Sequence, residues 1–321
     1  MRPPILSVFF FFLQIAASAF FLPGFAYALE IGVQPEHPTP GQTVTLTISD
    51  FEGSADNTSY VWSINKKLID QGVGKTSISF TAGALGSSYE VQVLAVENGR
   101  ARGSVSTTVR PAMVDIVWEG NTSTPPLYLG RPLPNGQSTV TVLAMPHLFL
   151  GTKEVPSSGV IYTWKVNGTL IQKQSGYGKQ SASVSPPRFG SSFTVFVQAA
   201  TPDGRVTAEN SVVITPRTPT AVVYENAPLL GLRFDKAVNG SFPFTTDEVS
   251  FVAYPLFVSN PDNLSYAWSL DGAAFDTDTS KPRAVTFRKV GAGTGTHEVS
   301  FSFKNSAHFL EGGEKKFQLK F

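Results

Sequence analysis

The chain of 321 residues contains no cysteine. This excludes disulfides, thiol nucleophiles, thiolate metal sites and a lipid-modified cysteine anchor. Histidine is scarce as well. His37, His147, His297 and His308 share no metal-ligand spacing, and no His-Glu-x-x-His occurs. No Gly-x-Ser-x-Gly marks a hydrolase elbow, and no pair of carboxylates is placed for glycosidase chemistry. Neither sign of charge is in excess. Setting aside Arg2 in the N-terminal segment, the 25 Lys and Arg fall to 24, equal to the 24 Asp and Glu. A neutral chain without blocks of like charge exerts little pull on nucleic acid or an anionic membrane. No long stretch carries helical periodicity. The composition therefore predicts a non-enzyme with no cofactor and no nucleotide or nucleic-acid partner.

The N-terminus reads as a secretory signal peptide over residues 1–28. Met1-Arg2 precedes an apolar run from Ile5 to Leu22, then a Pro23-Gly24 break and the small-x-small site Ala26-Tyr27-Ala28. Cleavage would leave Leu29 first. The alternative is an uncleaved anchor, the one route by which a membrane becomes a partner. Export without any cysteine suggests a bacterial protein at the cell surface, outside the cell or in the periplasm. The five Asn-x-Ser/Thr sequons read as chance in a chain rich in Ser and Thr.

Gly72 to Ser77 reads Gly-Val-Gly-Lys-Thr-Ser and invites comparison with a phosphate loop. That loop needs a glycine five residues before the Gly-Lys pair and a helix after it. Position 69 is Ile69, and the residues after Lys75 alternate through Ile78 and Phe80 as a strand does. Gly-x-Gly-Lys-x-Ser recurs at Gly176 to Ser181, with Gln180 in place of the magnesium-binding hydroxyl. A motif that repeats while losing its chemistry is a turn.

Self-comparison gives three copies of one unit. Tyr60-x-Trp62 matches Tyr162-x-Trp164 and Tyr266-x-Trp268, each followed by an aliphatic residue and then Asn65, Asn167-Gly168 or Asp271-Gly272. Asn-Gly and Asp-Gly favour type I′ hairpins. Lys66 takes the glycine slot in the first copy, which leaves a different turn open there. Downstream, strands beginning at Tyr89, Phe193 and His297 alternate with period 2, which makes His297 a structural strand residue. Val117-Trp118-Glu119 and Val223-Tyr224-Glu225 align as opening strands of units two and three. The tryptophans are 102 and 104 residues apart. The expectation is an all-β chain of three tandem β-sandwiches, at 29–112, 113–218 and 219–321, joined by Pro-containing linkers.

The Trp-x-aliphatic-Asn/Asp-Gly strand and turn, followed by Gly-x-x-Tyr-x-Val-x-Val, resemble the PKD and bacterial Ig-like domains. The likeness covers the C-terminal half of each unit best. Unit two adds a Pro-rich segment, Thr124 to Tyr128. The resemblance implies Ig-like sandwiches serving as spacer or adhesive modules of surface or pilus-associated proteins, and it names no ligand. The predicted function is a non-enzymatic exported spacer, adhesin or assembly component with a protein or glycan partner. The alternative is a carbohydrate- or protein-binding module using loop aromatics. A spatially assembled enzyme site is a third reading without a candidate.

Tyr60, Trp62, Tyr162, Trp164, Tyr266 and Trp268 are predicted core residues, since repeated placement on one strand face fits packing better than sugar stacking. Trp118 lacks copies in all units, and exposure at the junction of units one and two is open to it. Asp271, Asp276 and Asp278 have calcium-like spacing but lack the glycine and closing glutamate of a calcium loop, so a solvated loop is expected.

Overall fold

The computed structural model describes residues 29–321 except 189, 190 and 292. The predicted signal peptide, 1–28, lies outside the described residues. The described chain is all-β, with short 3-10 turns and no α-helix. None of its helices is long and apolar enough to cross a membrane.

Three hydrophobic clusters lie in sequence along the chain, one inside each pair of sheets. In unit one, strands Leu29–Gln34, Thr43–Asp50 and Ser77–Thr81 form one sheet. Thr58–Ile64, Lys67–Val73, Tyr89–Glu97 and Arg100–Val109 form the other. Unit two repeats this plan. Met113–Gly120, Val140–His147 and Ser181–Val184 face a sheet built on Ile161–Val166, Phe193–Ala200 and Thr207–Ile214. Unit three pairs Thr220–Ala227, Gly231–Ala237, Glu248–Leu256 and Ala284–Arg288 in one sheet. Its second sheet holds Leu264–Leu270, Ala273–Phe275, Thr296–Asn305 and Gly312–Lys320. That sheet carries one further strand, Ser241–Pro243, which pairs parallel with Gln318–Lys320.

Period 2 sets the cores. Along Thr58–Ile64 and Phe193–Ala200, every other residue is buried. The tryptophan strands share one register: Trp62 lies opposite Val93, Trp164 opposite Val197, and Trp268 opposite Phe301.

The structure decides one point left open by the sequence and corrects one expectation. The Asn65-Lys66 turn does not differ from its copies. Asn65 and Lys66 have φ of 51° and 65°, against 48° and 80° for Asn167-Gly168 and 49° and 80° for Asp271-Gly272. The hairpin geometry is set by Thr58–Ile64, which is paired on both sides, so Lys66 is held in the left-handed region. The opening strands also align differently. Trp118 pairs with Val142, whereas Tyr224 pairs with Val252 and Glu225 with Phe251. Val142 and Phe251 in turn face Ala182 and Val285, equivalent residues of the neighbouring strands. Trp118 therefore corresponds to Glu225, and the one-residue slip puts Trp118 and Tyr224 on opposite faces. Trp118 packs half-buried against the core of unit two under Arg131, whose guanidinium carbon is 4.3 Å from the ring centroid. It sits toward the end of Met113–Gly120, away from the residues that link units one and two.

Candidate functional site

The predicted core residues occupy the middle of the sandwiches. Trp62, Trp164 and Trp268 are 0%, 0% and 1% exposed. Tyr60 and Tyr162 are fully buried, while Tyr266 is half-buried and packs on Phe301. A buried indole must still satisfy its N–H. Trp62 Nε1 donates to the Lys75 carbonyl at 2.7 Å, and Trp164 Nε1 donates to the Lys179 carbonyl at 2.9 Å. The Gly-x-Gly-Lys turn is thus the device that presents an acceptor to the core tryptophan. In unit three the Pro282 carbonyl takes this place, at 3.3 Å. The Lys75 side chain points elsewhere and pairs with Asp70 at 3.1 Å on the surface. The tyrosines reach outward in the same way. Tyr60 donates to Asp50 and Tyr162 to the Ser157 carbonyl, each at 2.9 Å, and burial pushes the Tyr162 hydroxyl up to about 12.

The hairpin Asn and Asp are also structural. Asn65, Asn167 and Asp271 accept from the backbone N–H of Glu90, Thr194 and Glu298 at 2.9, 2.9 and 2.8 Å. Asp271 additionally pairs with His297 Nδ1 at 2.5 Å, and that bond, followed by the one from Glu298, holds its carboxyl below the usual carboxylate range. Asp278 accepts from the backbone and hydroxyl of Ser280. These bonds tie Asp271 to the neighbouring strand and Asp278 to its own loop. Among the described residues, no group of three or more His, Asp or Glu could hold a metal ion.

The densest polar constellation joins units two and three. Glu311 and Asn135 are each 1% exposed. Glu311 Oε1 accepts from Asn135 Nδ2 at 2.7 Å and from the Ser259 backbone at 2.8 Å; Oε2 accepts from Asn305 Nδ2 at 2.7 Å. His308 Nδ1 lies 3.5 Å from Oε2. Asn135 Nδ2 donates a second bond to the Phe257 carbonyl at 2.7 Å. Around this centre, Ser123 exchanges backbone bonds with Phe257 and Val258, and Leu310 N donates to Gln137 Oε1. Tyr128 meets the Phe257 ring edge-on at 6.2 Å. Burial alone would raise the Glu311 carboxyl. The bonds from Ser259, Asn135 and Asn305 outweigh it and leave the group below its ordinary value.

Sequence reasoning missed this joint. Its signal was the unit-two segment around Thr124 to Tyr128, which has no counterpart in the other copies. The contact between units one and two is thinner. Arg110 Nη1 donates to the Arg205 carbonyl at 3.2 Å. Gly86, at φ 85°, comes so close to unit two that a Cβ would lie 2.6 Å from the Gly151 carbonyl oxygen.

No family model matches this chain, and no curated protein matches it. Among solved structures, the chain is similar to the three N-terminal domains of the bacteriophage RB49 highly immunogenic outer capsid protein. Identity is 13%, coverage 91% of this chain and 98% of that one, and TM-score 0.27. It is also similar to Sidekick-1 immunoglobulin domains 1–4, at 11% identity, 91% and 74% coverage and TM-score 0.22. For Sidekick-1 domains 1–5 the values are 12%, 91% and 59%, and 0.23. All three are tandem-domain proteins, and scores this low carry no argument about the arrangement or role of this chain.

Proposed function

We propose that the chain is an exported, non-enzymatic surface protein of three sandwich domains, 29–112, 113–218 and 219–321, acting as a spacer, adhesin or assembly component. The observation that carries this reading is the Asn135–Glu311 joint. Where unit two departs from the shared plan, its extra residues fasten it to unit three. A protein that holds two ends at a fixed separation needs such joints, because domain contacts of ordinary size leave neighbours free to move. The repeated tryptophans are buried and so supply no sugar-stacking face, which favours this reading over a lectin-like one.

The test is location and processing in the producing cell. Intact cells should be labelled by antibody to unit three, and N-terminal sequencing of exported chain should begin at Leu29. Chain retained in the cytoplasm with Met1 intact would overturn the proposal. Exported chain that keeps Met1 in the membrane would make residues 5–22 an anchor.

A further inference from the structure

The three copies treat one place in the sandwich differently: the gap between the opening strand and the last strand. In unit three the gap is filled by Ser241–Pro243, which pairs with Gln318–Lys320 and sets Phe242 against Phe251 at 5.0 Å. In unit two Trp118 stands on the opening strand, packed against the core, and Asn210 Nδ2 of the last strand bonds across to the Val114 carbonyl at 2.8 Å. In unit one the residue equivalent to Trp118 is Val33, opposite Leu46. There the gap is a cavity of about 500 Å³. Its walls are Glu30–Gln34 and Thr107–Arg110, and Gly204, Arg205 and Thr207 of unit two also line it.

Consecutive residues line each wall. A pocket cut into one sheet face would show alternate residues, so these walls are strand edges. Both strands are indeed the edges of their sheets, with no strand partner among the described residues on the side away from the sheet. Unpaired edge N–H and C=O groups form a template for an added strand. Four to five residues at about 3.3 Å each make a slot roughly 15 Å long, enough for one short strand.

We propose that this slot in unit one binds an extended segment of another polypeptide, added parallel to the last strand, with a bulky apolar side chain opposite Val109. Unit three supplies the register. Tyr89 pairs with Val109 as its equivalent His297 pairs with Leu319, so Val109 stands where Leu319 does. Ser241, Phe242 and Pro243 face Gln318, Leu319 and Lys320. A guest strand would therefore face Thr108, Val109 and Arg110, with half-buried Ile31 and Val33 as its apolar floor. Main-chain bonds supply affinity, and the side chain opposite Val109 supplies selectivity.

The absence of cysteine gives a clean trapping experiment. The full chain carries Thr108→Cys, or Ser104→Cys as a control on the same exposed face of the same strand. Each is offered a disulfide-activated synthetic peptide of residues 238–245 bearing Ser241→Cys. Trapping at Thr108→Cys should be at least about tenfold faster than at Ser104→Cys. It should fall by a similar factor when the peptide carries Phe242→Ala. Adding Val33→Trp to the chain, in imitation of unit two, should block it. Equal rates at the two positions, or a Phe242→Ala peptide trapped as fast as the parent, would overturn the proposal. The peptide comparison stands even if Val33→Trp does not fold.

Discussion

Glu311→Gln removes a charge and changes almost no volume, so it isolates the hydrogen bonding of the joint between units two and three. The carboxylate accepts from Asn135 Nδ2 and Ser259 N on one oxygen and from Asn305 Nδ2 on the other. A glutamine can offer an oxygen on one side only. Its amide nitrogen then faces either Asn305 Nδ2 or the Asn135–Ser259 pair, donor against donor. Asn305 cannot flip to relieve this, because its Oδ1 already accepts from the N–H of Ala307 and His308. Nor can Asn135, whose Oδ1 accepts from Gln137 N. At least one buried donor is therefore left unpaired, at about 1–3 kcal/mol, and the surviving bonds lose their charge assistance. The expected loss is about 2–4 kcal/mol at pH 7. For a unit of this size that lowers the transition of unit three by on the order of 10–20 °C. Scanning calorimetry of the full chain reads this directly.

The pH dependence has a fixed sign. The folded carboxyl lies below its ordinary value of 4.5. Its contribution is complete above that value and drains away as pH falls through the lower folded one. The gap between wild type and Glu311→Gln should therefore be full at pH 7 and narrow in acid. A loss under about 1 kcal/mol at pH 7 would mean that water satisfies these donors and that the joint is not closed.

Trp164→Ala should cost about 3–5 kcal/mol and remove the calorimetric transition of unit two. A midpoint unchanged within a degree or two would sink the core assignment. Lys66→Gly should stabilise unit one. The left-handed lysine costs about 1–2 kcal/mol, and glycine gives back part of that in chain entropy, so a net gain of about 0.5–1 kcal/mol should appear in urea melts. Lys75→Ala should change stability by under about 0.5 kcal/mol, because only its backbone carbonyl serves Trp62. Neither Lys75→Ala nor wild type should gain stability from ATP with magnesium; a nucleotide-dependent rise in wild type alone would restore the phosphate-loop reading.

What the sequence determined by itself is local and repeated. Period 2 marked the strand faces, Asn-Gly and Asp-Gly marked the hairpins, and the recurrence of Gly-x-Gly-Lys marked a turn rather than a nucleotide site. Each is a pattern of residues a few positions apart, written in a short window and, for Gly-x-Gly-Lys, repeated in a second copy. The register of the opening strands was not readable this way, because Trp118 and Tyr224 look alike in a window and a slip of one residue reverses the face. The joint was hidden for the same reason on a longer scale. Asn135 and Glu311 are 176 residues apart, and no pattern links a lone amide in one loop to a lone acid in another until the folded units bring them together. The cavity in unit one is likewise a difference between copies: Val33 lines it at the register position that Trp118 takes in unit two, and only tertiary packing decides how much space remains.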